Sequence, residues 1–214
     1  MNAAKLETFE SECLLRPGNT NCGGCGMSNG LTMLGRALAG ERYSMVIPAC
    51  CGIVTAGAYP TTAYNVPVIA STFASAAAFA SGVMAVNELN QDRDGDRRHV
   101  ICWAGDGGTY DIGMATLSAA AERNENLIYI CYDNEIYGNT GGQRSSATPT
   151  SARTTTTPPM VWPAVYVRSG LSSWISIETS GVSPLVRLLD IEPPPGIGSS
   201  SSVALIRIIR TQLL

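Results

Sequence analysis

Short apolar runs recur along the first two thirds of the chain, at 43–48, 66–71, 100–104 and 127–132. Each is bounded by Gly, Pro, Asn or Asp. Helix-compatible stretches lie between them. Residues 28–39 place Leu31, Leu34 and Leu38 on one helical face. The small apolar stretch 72–82 continues as helix through Met84, Val86 and Leu89, and 114–123 forms another. Continuous apolar runs separated by helical patterns predict strands buried on both faces. The fold class expected is therefore α/β, a parallel sheet with helices on both faces.

Two polar motifs follow two of these runs. Gly105-Asp106-Gly107-Gly108-Thr109-Tyr110-Asp111-Ile112-Gly113 comes after 100–104, and Asp133-Asn134-Glu135-Ile136-Tyr137-Gly138-Asn139-Thr140-Gly141-Gly142-Gln143 comes after 127–132. Both are predicted at the carboxyl ends of neighbouring strands, where open α/β sheets bind ligands. The chemistry suits a diphosphate held through Mg²⁺. Gly105, Gly107 and Gly108 let backbone approach phosphate closely. The start of the following helix offers free N–H groups to an anion. Asp106 supplies a carboxylate oxygen, Asn134 an amide oxygen and Ile136 a backbone carbonyl. Mg²⁺ takes about six oxygens, several from phosphate or water, so three protein ligands suffice. Asp111 is read as a hydrogen-bonding partner of the motif loop. Gly-Asp-Gly alone is also an ordinary turn; the paired motifs give the signal its specificity.

The cysteines form a second pattern. Cys22-Gly23-Gly24-Cys25 has the spacing of two thiolates on one metal centre, and Ala49-Cys50-Cys51-Gly52 adds a thiol at a strand end. An iron–sulfur cluster, half of a zinc site and a dithiol redox pair all fit CxxC. Cys102 and Cys131 fall inside predicted core strands and read as buried small hydrophobes. His99, the one histidine, reads as a strand-edge residue, and Ser145-Ser146-Ala147-Thr148-Pro149 with the threonine run 154–157 reads as polar loop at a subunit contact.

Taken together, GDGGTYDIG (105–113), LSAAAERNEN (117–126), YDNEIYGNTGGQRSSATP (132–149) and TTTTP (154–158) resemble the thiamine-diphosphate-binding β subunits of 2-oxoacid:ferredoxin oxidoreductases, most closely the pyruvate type. The resemblance implies the thiamine-diphosphate-binding fold and oxidative decarboxylation of pyruvate to acetyl-CoA and CO2. Electrons would pass through a [4Fe–4S] cluster to ferredoxin. It implies thiamine diphosphate bound by Gly105, Asp106, Gly107, Gly108, Asn134, Ile136, Asn139 and Thr140. Asp106, Asn134 and Ile136 would hold Mg²⁺, and Asn139 would act at the thiazolium end. Cys22, Cys25 and Cys51 would hold the cluster, with Cys51 preferred to Cys50 because Cys51-Gly52-Ile53-Val54 fits the family's register. Ylid formation in thiamine enzymes needs a carboxylate at the aminopyrimidine ring. Glu122, Glu125 and Glu135 sit in helix or motif-loop contexts, so that glutamate is expected from an α-type partner subunit, with γ and δ subunits alongside.

Composition narrows the classes further. A formal net charge of −3 gives no electrostatic case for nucleic acid. Lys5 is the only lysine, charged residues are 14% and hydrophobic residues 45%, which suggests surface covered by partner subunits or a chain simply rich in small residues. The polar start MNAAKLETFESE carries no signal pattern and no apolar run is long enough for a membrane span, so a cytoplasmic location is expected; the resemblance adds that the chain is part of a hetero-oligomer.

Two domains of reading result. Residues 1–158 form the thiamine-diphosphate-binding domain with its cluster cysteines. Residues 159–214, with Pro193-Pro194-Pro195 and Ser199-Ser200-Ser201-Ser202 but no cysteine, depart from the family pattern and read as an aberrant or divergent tail. They lack the late cysteine that would be the fourth cluster ligand. A non-redox thiamine-dependent decarboxylase or lyase, and a catalytically dead assembly subunit, are the alternatives.

Overall fold

A computed structural model describes residues 13–57, 60–95, 98–149, 152–157 and 204–210, the last as backbone only. The elements run α1 (Gly26–Ala37), β1 (Tyr43–Pro48), α2 (Cys51–Val54), β2 (Val68–Ser71), α3 (Ala76–Asp94), β3 (His99–Gly105), a π-helical turn (Gly107–Asp111), α4 (Met114–Glu122), β4 (Ile128–Asp133), β5 (Ile136–Tyr137), β6 (Gln143–Arg144) and β7 (Ala204–Arg210). Five strands pair in the order β2-β1-β3-β4-β7, all parallel. Strands β5 and β6 form a small antiparallel ribbon.

The two-residue period of the strands sorts their side chains between two layers. Met45, Ile47, Ile101, Trp103, Ile130 and Tyr132 point to α1 and meet Met27, Leu31, Leu34 and Leu38. Their neighbours Val46, Val100, Cys102, Ala104 and Tyr129 point the other way, to Ala76, Ala77, Ala80 and Met84 of α3 and Leu117 and Ala120 of α4. Leu31 and Leu38 are fully buried, and each such side chain contributes about 2 kcal/mol on leaving water. Helices therefore cover both faces, as the apolar runs predict. The small side chains of α3 let that helix lie close on the sheet, and it ends where Gly95 turns left-handed at φ 70°.

Two expectations shift. The regular helix after the first motif begins at Met114, as expected, but the backbone from Gly107 to Asp111 already winds into a π-helical turn. The N–H groups nearest the motif thus belong to that turn, a feature that recurs at functional sites. Serines 145 and 146 with Thr148, expected in a polar loop at a subunit contact, brace the interior: Ser145 is 1% and Thr148 7% exposed. Most of 159–214 lies outside the described residues. The exception is β7, which sets Arg207 opposite Cys131 and Arg210 opposite Asp133 on β4.

Candidate functional site

Strands β3 and β4 end side by side, with Gly105 opposite Tyr132. A cavity of about 280 Å³ opens above their carboxyl ends. It is lined by Gly105, Asp106, Gly107 and Gly108 from the first motif and by Asn134, Ile136, Asn139 and Thr140 from the second. Every residue predicted to hold the cofactor therefore meets at one cavity. Cys51 lies on its wall too.

Asp106 is 2% exposed. Burial pushes its carboxyl up to about 7; the Ser145 hydroxyl opposes the shift and the nearby Asp133 charge adds to it. One side-chain amide atom of Asn134 stands 2.9 Å from Asp106 Oδ1 and 2.7 Å from the Ile136 carbonyl oxygen. As NH2 it donates to both. As the amide oxygen it completes a set of three acceptors with no donor among them, which a cation satisfies. Adjacent oxygens of an octahedron around Mg²⁺ lie about 3 Å apart, given metal–oxygen bonds near 2.1 Å. The donor set and its spacing thus fit a small hard cation.

The glycines are required by what stands over them. A Cβ on Gly107 would lie 1.8 Å from the Tyr137 ring, and one on Gly113 would lie 1.9 Å from the Gly108 carbonyl oxygen. Tyr137 donates to Asp111 Oδ2 at 2.5 Å and meets Phe73 edge to face with centroids 5.9 Å apart. Asp111 also accepts from the Ser146 backbone N–H at 3.2 Å and from the Ser146 hydroxyl. It ties the two motifs together, as its reading as a loop partner requires, and is not part of the cavity lining.

The cysteines separate clearly. Cys102 and Cys131 are buried in strands. Cys50 is 6% exposed, within the core on the α1 side. Cys51 begins α2, is half-buried, and its thiol donates to Asn139 Oδ1 at 3.3 Å. Burial pushes the Cys51 thiol up, and thiolates at Cys25 and Cys22 would push it the same way. Tyr132 OH accepts the Gly52 N–H at 3.2 Å and Tyr64 OH donates to the Gly52 carbonyl at 2.8 Å, so this turn is pinned to the end of β4. Among the described residues no three His, Cys, Asp or Glu side chains gather around a single-ion position. An iron–sulfur cube takes thiolates from separate corners and asks for a wider spacing.

Sequence reasoning missed Tyr137, Phe73 and Ser145. Phe73 is apolar, and the part Tyr137 plays depends on its ring standing over Gly107 and its hydroxyl reaching Asp111. Ser145 lies within RSSATP, quoted as part of the resemblance, but its partner Asp106 is distant in sequence.

The family model for the thiamine pyrophosphate enzyme C-terminal TPP-binding domain matches residues 49–179, past Pro158. This chain belongs to that family. Among its relatives are pyruvate synthase subunit PorB of Methanothermobacter thermautotrophicus, 44% identical over 147 residues, covering 69% of this chain and 50% of that one. Ketoisovalerate oxidoreductase subunit VorB of Pyrococcus horikoshii is 47% identical over 143 residues, covering 66% and 46%. Among solved structures, a 2-oxoglutarate:ferredoxin oxidoreductase from Magnetococcus marinus, with 2-oxoglutarate, coenzyme A and succinyl-CoA bound, superposes with a TM-score of 0.56 at 25% identity, over 70% of this chain and 49% of that one. The chain spans about half the length of the curated relatives it matches. Among the described residues no helix is long and apolar enough to cross a membrane.

Proposed function

We propose that this chain is the thiamine-diphosphate-binding subunit of a 2-oxoacid:ferredoxin oxidoreductase that converts pyruvate and coenzyme A to acetyl-CoA and CO2. One observation carries the reading: a single cavity is lined both by the Asp106–Asn134–Ile136 oxygen trio and by Cys51. A non-redox lyase has no use for a cluster thiol against its cofactor pocket.

When bound, thiamine diphosphate supplies the nucleophilic carbon and the electron sink for decarboxylation. The chain's own residues bind and orient. Asp106, Asn134 and the Ile136 carbonyl hold Mg²⁺. Gly105, Gly107 and Gly108 give the diphosphate close access to backbone. Asn139 and Thr140 line the pocket, and Asn139, which accepts from the Cys51 thiol, would act at the thiazolium end. Cys22, Cys25 and Cys51 hold the [4Fe–4S] cluster that accepts electrons for ferredoxin. The carboxylate for the aminopyrimidine ring comes from an α-type partner, so the chain alone is inactive. The γ and δ subunits and a cytoplasmic location belong to the same reading.

The test is iron and acid-labile sulfide on anaerobically purified protein, co-expressed with its α-type partner. About four of each per chain are expected for one cube. Thiamine diphosphate bound without iron would instead favour the non-redox lyase. The tail 159–214 is read as aberrant or divergent, and β7 supports the divergent form. Translating the gene's other frames beyond Pro158 separates the two: a family-like continuation there would make the tail a frame disruption.

A further inference from the structure

The two carboxylate oxygens of Asp106 have different neighbours. Oδ1 faces the Asn134 amide at 2.9 Å. Oδ2 accepts a hydrogen bond from the Ser145 hydroxyl. That hydroxyl is held from the other side, because its oxygen accepts the Ala147 N–H at 3.2 Å. The Ser145 N–H donates to Thr148 Oγ1 at 2.9 Å, and the Thr148 hydroxyl donates to the Glu135 carbonyl at 2.5 Å. Ser145 is 1% exposed. Its proton therefore has one direction to point, and the loop behind it is anchored to the second motif.

We propose that Ser145 is a positioning residue that sets which cation this site accepts. It occupies Oδ2, so Asp106 offers one oxygen to the metal. The inference rests on the reading of Asp106, Asn134 and Ile136 as the Mg²⁺ site of a thiamine-diphosphate pocket.

The two common hard cations differ in what they ask of a carboxylate. Mg²⁺ demands a tight octahedron at about 2.1 Å, with one oxygen from each carboxylate. Ca²⁺ takes about six to eight oxygens at 2.3–2.6 Å and readily accepts both oxygens of one carboxylate. For Asp106 to chelate in that way, Oδ2 must leave Ser145, stranding a buried hydroxyl without its acceptor. The Ser145 bond thus disfavours the larger ion while holding Oδ1 at octahedral spacing from Asn134. Removing the hydroxyl frees the carboxylate to rotate and to chelate.

Ser146 provides the internal control. It sits on the same loop, but its hydroxyl and N–H serve Asp111. Ser146→Ala loosens the loop and leaves Asp106 tied.

The experiment titrates Mg²⁺ and, separately, Ca²⁺ into the full chain with saturating thiamine diphosphate, by calorimetry. The Ser145→Ala chain is expected to lose about tenfold in Mg²⁺ affinity, as outer-shell partners of metal ligands typically give. Its Ca²⁺ affinity holds or rises, so the Mg²⁺ preference collapses, whereas Ser146→Ala keeps the wild-type preference. Ser145→Gly removes the same hydroxyl with less bulk and serves if the alanine variant does not fold. An unchanged preference in these Ser145 variants overturns the proposal. So does an equal weakening of both cations, which is what a brace with no bearing on selectivity gives. A wild-type chain that binds neither cation with thiamine diphosphate overturns the reading of the site itself, a distinct result.

Discussion

The strand-end site and the cysteine loop are built in opposite ways. At the strand ends, Asp106 and Ser145 are 2% and 1% exposed, and each polar group is held by another from a different motif. In the loop, Cys22 is exposed and Cys25 half-buried. Glycines report the same contrast. A Cβ on Gly107 meets the Tyr137 ring at 1.8 Å, whereas on Gly23 or Gly24 it meets nothing within 4 Å. The first site is shaped before any ligand arrives, at the cost of burying a carboxylate. The second leaves its room open, as a loop does when it must wrap around a group larger than any side chain. Preorganisation makes binding tight by removing ordering costs; on the proposed reading, the cysteine loop would meet those costs when a cluster is assembled.

The strongest way to break this contrast is Asp106→Ala. It removes one oxygen of the trio and a carboxylate that burial already disfavours. Thiamine-diphosphate binding in the presence of Mg²⁺ should fall by more than about 100-fold, beyond what outer-shell changes produce. Far-UV circular dichroism should be unchanged. Calorimetry checks the first point, and near-wild-type binding would mean that Asp106 is not a metal ligand.

Gly107→Ala comes next. The Tyr137 ring must swing away, giving up its bond to Asp111 and its contact with Phe73. Overpacking of this kind costs about 1–3 kcal/mol, or a melting temperature lower by roughly 5 °C for a chain of this size. Cofactor affinity should fall with it. Gly23→Ala is the matched change in the loop and should leave both melting and thiamine-diphosphate affinity unchanged. If the two substitutions cost the same, the contrast between the regions is lost.

How much of this was legible in the sequence follows from the range of each interaction. The apolar runs predicted the four strands 43–48, 68–71, 99–105 and 128–133 nearly to the residue, because burial on both faces leaves an unbroken run. The meeting of Asp106 with Asn134 was legible because the two follow the ends of adjacent strands, and strand ends in a parallel sheet share a crevice. The π-helical winding at Gly107–Asp111 was not: glycines announce freedom, not the conformation chosen. Neither was the Ser145–Asp106 bond, which joins residues separated by 39 positions. Polarity alone put 145–148 on the surface, whereas the hydroxyls there are consumed by the site. Strand β7 was hidden because its run follows proline and serine stretches that carry no pattern.

The smallest expected effects test the seam between the regions, where Cys51 touches Asn139 at 3.3 Å. Cys22→Ser should remove iron and leave thiamine-diphosphate affinity within about twofold, since distant sites act independently. Cys51→Ser should remove iron as well, and should also shift cofactor affinity, because its partner Asn139 lines the pocket. Cys50→Ala, one residue earlier, is the control. Cys50 is 6% exposed and packed on the α1 side, so the change should cost about 1 kcal/mol of stability and no iron. Loss of iron from Cys50→Ala with retention in Cys51→Ser would exchange the two residues' roles. Equal cofactor affinity in Cys22→Ser and Cys51→Ser would show that the two sites, though they share a wall, do not communicate through Asn139.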